Sequence, residues 1–138
     1  MPNGLPWGMK PFVTAGQSPM SETALTFPRR GHVYWVRIPD EPGGKRRPAL
    51  VVSSDVRNRL ANDVIVVPIS TVLREAPTHV RLRVGEGGLR QASVVKCEQI
   101  TTLRRDRLLT RALGGALSRA RMVEVEKGIL RAIGVPVE

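Results

Sequence analysis

Residues 43–70 read GGKRRPALVVSSDVRNRLANDVIVVPIS and contain two short apolar runs. These runs, at residues 49–52 and 64–69, are rich in Val and Ile and have the length of buried strands. Arg47 stands just before the first run, and Ser70 and Thr71 follow the second. A guanidinium at the start of one core strand and hydroxyls at the end of the next are groups suited to holding a phosphate.

The charge of the chain indicates an anionic partner. Its 138 residues include 22 Lys and Arg against 12 Asp and Glu, which gives a net charge of +10. A basic balance of this size favours nucleic acid. Four of the 22 basic residues are lysines and the other 18 are arginines, and Arg binds phosphate through a planar fork that Lys lacks. A generic Arg-rich surface has the same composition, so the sign of the charge is the more informative feature.

The remaining composition limits the class of protein. A chain of this length has room for one domain, and an apolar content of 41% is enough for its core. Cys97 is the single cysteine, which excludes an internal disulfide and a Cys-based zinc site. No apolar run approaches the roughly 20 residues that span a bilayer, and the N-terminal residues lack the pattern of a secretory signal. We therefore expect a cytoplasmic protein that does not insert into a membrane.

The first 28 residues differ from the rest of the chain. They contain five prolines and three glycines without apolar periodicity, and the charges of Lys10 and Glu22 cancel. The whole net charge therefore lies beyond residue 28. The sequence predicts an extended or disordered tail over residues 1–28 and one folded domain over residues 29–138.

Alternation and turn residues predict a mainly β fold with one late helix. Residues 32–38, 78–84 and 92–100 are strand-like, which with the two core runs makes five strands, and residues 53–63 form a polar loop. Ser118 is a good N-cap for a helix that ends at Gly134. Its apolar positions, at helical spacing, are Met122, Val125, Ile129 and Ile133. We predict an α+β domain: a small, strongly curved antiparallel barrel with a C-terminal helix.

Six short runs resemble the MazF/PemK family of toxins. They are RGHVYWV at residues 30–36, RPALVVS at 47–53, VVPIS at 66–70, PTHV at 77–80, SVV at 93–95 and EQI at 98–100. The terminal helix also resembles the last helix of the family. One run alone would be a weak signal, but six in the right order, covering about residues 29–135, are specific.

The resemblance implies a toxin of a type II toxin–antitoxin pair with an SH3-like, PemK-type barrel. Such toxins are homodimeric endoribonucleases, or mRNA interferases, which cut single-stranded RNA at short sequences without a metal or other cofactor. The RNA is mRNA, with tRNA and rRNA as further possible substrates. The products are a 2′,3′-cyclic phosphate and a 5′-hydroxyl. The resemblance also implies inhibition by a cognate antitoxin, which lays an acidic, otherwise disordered segment over the RNA groove.

The catalytic candidates follow from this chemistry and from the resemblance. The ribose 2′-hydroxyl is the nucleophile, so the protein must chiefly stabilise charge on the phosphorane. Arg47 matches the functional arginine of the family, and Ser70 stands where relatives usually have a threonine that contacts the scissile phosphate. The expected RNA-binding residues are Lys45, Arg46, Asn58, Thr71, Thr78, His79, Arg81, Glu98 and Gln99. Six cations are expected along one edge of the barrel: Lys45, Arg46, Arg47, Arg57, Arg81 and Arg83.

The chain departs from the family in the turn at residues 39–46, which lacks the Gly-Ser-Glu signature; Glu41 is close in sequence but out of register. A general base stays unassigned, because neither His32 nor His79, the only histidines, is clearly placed for it.

Two alternatives for the function remain open. A toxin of the same fold that poisons DNA gyrase would rely on the terminal helix, and a basic RNA-binding module would bind RNA without cutting it.

Overall fold

A computed structural model of the chain describes residues 26–37 and 45–138. The described part contains seven strands: β1 (Val33–Arg37), β2 (Arg46–Val51), β3 (Asp63–Ser70), β4 (His79–Leu82), β5 (Ser93–Lys96), β6 (Thr101–Arg104) and β7 (Leu108–Ala112). It contains two α-helices, α1 (Asp55–Leu60) and α2 (Arg119–Ala132). Three 3₁₀ turns complete it, at Glu86–Gly88, Cys97–Gln99 and Arg105–Arg107.

The strands form one antiparallel sheet in the order β4-β5-β3-β2-β1-β7, with β6 paired to β3 beside this path. The eight-residue strand β3 organises the sheet, because its first half pairs with β6 and its last two residues pair with β5. Among the described strands no pairing joins β4 to β7, so the sheet is curved but open. The predicted α+β class with a C-terminal helix is confirmed, whereas the expected count of five strands missed β6 and β7.

The central strands bury side chains on both faces. The helix face, which α2 covers, includes Val33, Leu50 and Val67, and these pack in one cluster with Met122 and Val125 of α2. The barrel face is formed by the alternate residues of the same strands. Its buried cluster contains Tyr34, Val36, Ala49, Val51, Val64, Val66 and Leu108. Both predicted core runs are therefore central strands that are buried on two sides.

Helix α2 begins where the sequence predicts. The Ser118 hydroxyl accepts a hydrogen bond from the Arg121 N–H at 3.1 Å, which caps the first turn. Met122 and Val125 are buried as expected, and Gly128 is buried with them. Ile133 is exposed, however, and it lies just outside the helix as its C-cap residue. Gly134 follows with φ near 87°, a left-handed conformation that glycine adopts without strain.

The predicted loop at residues 53–63 contains α1. The Ser54 hydroxyl accepts from the Arg57 N–H, and Asp55 lies in the first turn, where a carboxylate suits the helix dipole. A six-residue helix spans too few turns to show a periodic apolar face, so the pattern did not reveal it. Its position is fixed instead by buried polar bonds, in which the Asn58 amide donates to the Ser53 carbonyl at 3.0 Å.

The ends of two predicted segments differ from the structure. Strand β4 ends at Leu82, two residues before the end of the predicted strand at Val84, which is 64% exposed. The segment at residues 92–100 leaves the sheet after Lys96 and continues as a 3₁₀ turn. Of the predicted tail, residues 26–28 lie against the domain: Pro28 is buried, and the Thr26 carbonyl accepts from the Arg105 guanidinium at 3.2 Å. Residues 1–25 lie outside the described part.

Candidate functional site

The pairing of β2 with β3 places the two catalytic candidates opposite each other. The observed partners are Ala49 with Pro68, Leu50 with Val67, and Val51 with Val66. Continuing this register by two residues brings Arg47 opposite Ser70. Residues that are opposite in an antiparallel pair project from the same face. Arg47 is two residues from Ala49 on β2, so it shares the barrel face with Ala49, and Ser70 lies on that face as well.

The same row continues across the next two strands. Ser70 is paired with Val94 of β5, and Val94 with Arg81 of β4. Val94 is buried, whereas Arg81 is exposed. Neighbouring strands lie about 4.8 Å apart, so the backbones of Arg47 and Arg81 are separated by about 14 Å across three spacings. The row therefore has a cation at each end, a hydroxyl beside the first, and a buried valine between Ser70 and Arg81.

The hydroxyl of Ser70 is held in one orientation by the following turn. Its oxygen accepts a hydrogen bond from the Val72 N–H at 3.0 Å. A serine hydroxyl has one donor and two acceptor positions, so this bond leaves the O–H free to donate to a phosphate oxygen. The bond also restricts the side-chain torsion, which compensates for the branching methyl group that a threonine would have at this position.

A second polar cluster lies at the ends of β4 and β5. The Thr78 hydroxyl donates to Glu98 Oε1 at 2.8 Å, and His79 Nε2 lies 3.1 Å from Glu98 Oε2. The other ring nitrogen of His79 lies 2.8 Å from the Arg74 carbonyl. Both ring nitrogens thus lie within hydrogen-bond distance of an oxygen of the chain. The His79 side chain is only 6% exposed, so its role here is to hold the turn.

The acidity of Glu98 reflects these neighbours. Partial burial opposes ionisation, but the hydrogen bonds from Thr78, from the Glu98 backbone N–H and from His79 together lower the pKa of Glu98 below its ordinary value. Both carboxylate oxygens are therefore engaged within the chain. The adjacent Gln99 is exposed, and no hydrogen bond of its side chain to other described residues competes for it.

The other predicted cations are distributed less tightly than expected. Lys45 and Arg46 are exposed next to Arg47, but Arg46 pairs with Arg37 and alternates onto the helix face. Arg83 is exposed just beyond β4, and Thr71 is exposed just after Ser70. The placement of Arg57 at this edge is wrong. Arg57 forms an ion pair with Asp63 at the start of β3, about 23 Å along the strand from Ser70.

Asn58 requires a correction as well. It is completely buried, its amide donates to the Ser53 carbonyl, and its side-chain oxygen accepts from the Ser53 hydroxyl. A side chain with no exposed surface and satisfied polar atoms cannot reach an RNA. Asn58 is a structural residue that fixes α1 to the start of the neighbouring loop.

The sequence analysis did not assign Lys96, although it lies on the barrel face. It is paired directly with His79 across β4 and β5, two residues along β5 from Val94. The signal was present in the strand alternation, but it could be used only once the pairing partners were known. Glu41 and the rest of residues 38–44 lie outside the described part.

The described residues contain no group of three or more His, Cys, Asp or Glu side chains that could hold a metal ion. Within the same ranges, no helix has both the length and the apolar character needed to cross a membrane. The barrel face carries the guanidinium of Arg47 and the hydroxyl of Ser70, with further cations nearby.

Comparison with known proteins decides the family. Residues 29–133 match the PemK-like, MazF-like toxins of type II toxin–antitoxin systems. The chain belongs to this toxin family. Among curated members, it is 31% identical over 112 residues to the endoribonuclease MazF of Staphylococcus epidermidis, which covers 78% of this chain and 92% of the relative. It is 34% identical over 85 residues to the endoribonuclease EndoA of Bacillus subtilis strain 168, covering 58% and 73% of the two chains.

Solved structures of MazF-type toxins have the same fold. One, an endoribonuclease in complex with its cognate antitoxin from a mycobacterial species, superposes with a TM-score of 0.67 at 32% identity, covering 80% of this chain and 99% of the other. Another, the Mycobacterium tuberculosis toxin MazF-mt6, gives a TM-score of 0.66 at 25% identity, covering 77% and 99%. The predicted MazF/PemK resemblance is thus confirmed in both sequence and fold.

Proposed function

We propose that this MazF-type toxin is a sequence-specific endoribonuclease that cuts single-stranded RNA without a metal ion. The observation that carries the proposal is the register of β2 and β3, which, continued by two residues, would set Arg47 opposite Ser70 on the barrel face. The curated relatives named endoribonucleases support the reaction class. A guanidinium supplies the positive charge that a metal ion supplies in other nucleases.

The reaction proceeds by internal attack within the RNA. The ribose 2′-oxygen forms a bond to phosphorus as the bond from phosphorus to the 5′-oxygen breaks, and a proton passes from the former oxygen to the latter overall. The products are a 2′,3′-cyclic phosphate and a 5′-hydroxyl. Arg47 binds the non-bridging oxygens and stabilises the negative charge that grows on the phosphorane. Ser70, oriented by the Val72 N–H, donates its O–H to the same phosphate.

The remaining site residues bind the RNA on either side of this phosphate. Arg81 lies in the same row and contacts the backbone, as does Lys45 just before β2. Arg46 projects from the helix face and is not assigned a contact with this strand of RNA. Thr78, His79 and Glu98 hold the turn that presents Gln99, whose amide can read a base edge. Thr71 lies beside Ser70 and contributes a second hydroxyl.

The partner of the toxin is a cognate antitoxin that contributes an acidic segment. The net charge of +10 and the basic row on the barrel face favour such a segment as a competitor of RNA. A solved relative in complex with its cognate antitoxin supports this assignment. We further propose that the toxin acts as a homodimer in the cytoplasm, as the family resemblance implies.

The decisive experiment incubates the purified protein with a mixed RNA pool in the presence of EDTA and maps the ends of the fragments. The proposal expects discrete fragments with a 5′-hydroxyl, which polynucleotide kinase labels directly, and a 3′ end that stays blocked until the cyclic phosphate is removed. Intact RNA in EDTA together with digestion on adding magnesium would overturn the mechanism. Binding without any product would identify an RNA-binding module, and gyrase-dependent DNA breaks without RNA cleavage would identify a gyrase poison.

A further inference from the structure

Lys96 lies beside the row formed by Arg47, Ser70, Val94 and Arg81, although none of the sequence motifs contains it. It ends β5 directly opposite His79 of β4. The pairing of β3 with β5 joins Ile69 to Val95 and Ser70 to Val94. Lys96 is therefore two residues beyond the partner of Ser70 and on the same face. Diagonal neighbours of this kind have side chains about 7–8 Å apart at their bases.

No described carboxylate forms an ion pair with Lys96. Its side chain is half-buried, and within residues 26–37 and 45–138 it makes no ion pair and no side-chain hydrogen bond. Glu98, two residues along the chain, has one carboxylate oxygen bonded to Thr78 and the other facing His79. An ammonium without an ion-pair partner among the described residues can bind an incoming anion without first breaking a bond inside the protein.

The neighbours also determine which anion can bind. Ser70 and Arg81 flank Val94, which is buried, so the groups exposed beside Lys96 are a hydroxyl and a guanidinium. Both are donors to phosphate oxygens, so these neighbours suit the backbone of an RNA strand. An extended strand held at Arg47 and Ser70 passes Lys96 before it reaches the turn that contains Gln99.

We propose that Lys96 binds the phosphate next to the scissile one and so fixes the direction in which the RNA crosses β5. This inference rests on the proposed function, since it takes the scissile phosphate to lie at Arg47 and Ser70. The inference adds Lys96 to the RNA-binding residues and assigns it one contact with the RNA backbone. The residue acts by charge, so its contribution is independent of the base sequence but sensitive to salt.

The test measures binding separately from cleavage. The substrate is an RNA containing the mapped cleavage site with a 2′-deoxy substitution at the scissile nucleotide, which removes the nucleophile. Affinity is measured across a salt series for the wild type, Lys96→Met, Lys96→Arg and Lys127→Met. Lys96→Met keeps an apolar stem without the charge, and Lys96→Arg keeps the charge. Lys127 of α2 is the matched control, because α2 covers the helix face of the sheet.

Each neutralised phosphate contributes about 0.7 to the slope of log affinity against log salt for a single strand. We therefore expect Lys96→Met to lower that slope by about 0.7 and to weaken binding about fivefold at ~0.1 M salt. Lys96→Arg should bind like the wild type, and so should Lys127→Met. An unchanged slope for Lys96→Met, or an equal loss for Lys127→Met, overturns the inference.

The two proposals fail in distinguishable ways. If the wild-type protein cleaves its RNA and Lys96→Met binds the deoxy-substituted RNA with the wild-type slope, then the assignment of Lys96 is wrong and the ribonuclease stands. If the wild-type protein yields no cyclic-phosphate product from any RNA, then the proposed function has failed, and the inference about Lys96 falls with it because no scissile phosphate exists.

Discussion

Glu86 and Arg121 join the turn after β4 to the first turn of α2 through two hydrogen bonds. Arg121 Nε donates to Oε1 of Glu86 at 2.8 Å, and an Arg121 terminal nitrogen donates to Oε2 at 3.0 Å. An arginine in the first turn of a helix is unfavourable for the helix dipole, and Glu86 compensates for this. The bonds from Arg121, opposed in part by burial and assisted by the Arg83 N–H, lower the pKa of Glu86 below its ordinary value.

Replacing Glu86 by Gln should destabilise the protein in a pH-dependent way. Because the folded-state pKa of Glu86 is depressed, its contribution is fully present above the unfolded-state pKa and is lost as the pH falls through the folded-state value. We expect Glu86→Gln to lower the free energy of unfolding by about 2 kcal/mol at neutral pH. The difference from wild type should disappear as the solution is acidified below the ordinary carboxyl range, as measured by urea denaturation at each pH.

Glu124 provides the control for this prediction. It bonds to the same guanidinium at 3.0 Å but is half exposed, and exposed ion pairs contribute little. Glu124→Gln should change stability by less than about 1 kcal/mol. A Glu86→Gln deficit that stays constant down to acid pH would show that the lost stability does not come from the ionised carboxylate.

Gly128 allows α2 to lie directly on the turn that contains Cys97. A Cβ at position 128 would stand 2.7 Å from Cys97 Sγ and 3.2 Å from Cys97 Cβ. We expect Gly128→Ala to lower the free energy of unfolding by about 1–2 kcal/mol, because overpacking outweighs the better helix propensity of Ala. Thermal or urea denaturation measures this loss.

Two further variants separate overpacking from other effects. Gly115→Ala introduces the same methyl group where nothing lies within 4 Å, and it should be close to neutral. Cys97→Ala removes the sulfur that the new Cβ would meet, so the double variant Cys97→Ala/Gly128→Ala should be more stable than the sum of the single losses predicts. Strict additivity of the two losses would argue against the contact.

Cys97 should be chemically inert in the folded protein. Burial, with a smaller contribution from the charge of Glu98, raises the pKa of Cys97 to about 11. At pH 8 only about one thiol in a thousand is then ionised, and the thiolate is the reactive form. We expect iodoacetamide to leave the native protein unlabelled and to label it fully in denaturant, as followed by mass spectrometry. Rapid labelling of the native protein would mean that α2 opens readily from the turn at Cys97–Gln99.

Ser70 should be replaceable by threonine but not by alanine. The Ser70 oxygen accepts from the Val72 N–H and its O–H is directed to the substrate phosphate in our mechanism. Ser70→Ala should reduce single-turnover RNA cleavage by about 10–100-fold, as expected for the loss of one hydrogen bond to a charged group. Ser70→Thr retains the hydroxyl and should keep most of the rate. Wild-type cleavage by Ser70→Ala would assign the hydroxyl a structural role only.

The central part of the fold was predictable from the sequence because its signals are local. The runs at residues 49–52 and 64–69 are continuously apolar, so each is expected to be a buried strand. Ser118 and Gly134 mark the ends of α2. Strands β6 and β7 were missed for a physical reason. They are largely exposed and rich in Thr and Arg, and they pair with β3 and β1, far away in sequence.

The sequence names candidate residues for the site, but their arrangement could not be predicted from it. Motif matches indicated Arg47 and Ser70, yet only the strand register places them opposite each other. The register of β4 and β5 likewise places Lys96 on the barrel face, and no motif contains this residue. Asn58 was assigned wrongly because a polar residue in a predicted loop appears exposed, whereas here it satisfies buried backbone and hydroxyl groups under a short helix.

Arg47 is the residue on which the proposed chemistry depends, and its removal should affect the rate without affecting the fold. It is exposed on β2, so Arg47→Ala should change the free energy of unfolding by no more than about 0.5 kcal/mol. Arg107→Ala, an exposed change in the 3₁₀ turn after β6, is the matched control for loss of one positive charge.

The most direct measurement is the single-turnover rate at which saturating protein cleaves one mapped RNA in EDTA. We predict that Arg47→Ala slows this rate by at least about 100-fold, the usual effect of removing a group that stabilises transition-state charge, while Arg107→Ala cleaves at the wild-type rate. Cleavage by Arg47→Ala at the wild-type rate, with the same product ends, would contradict the account.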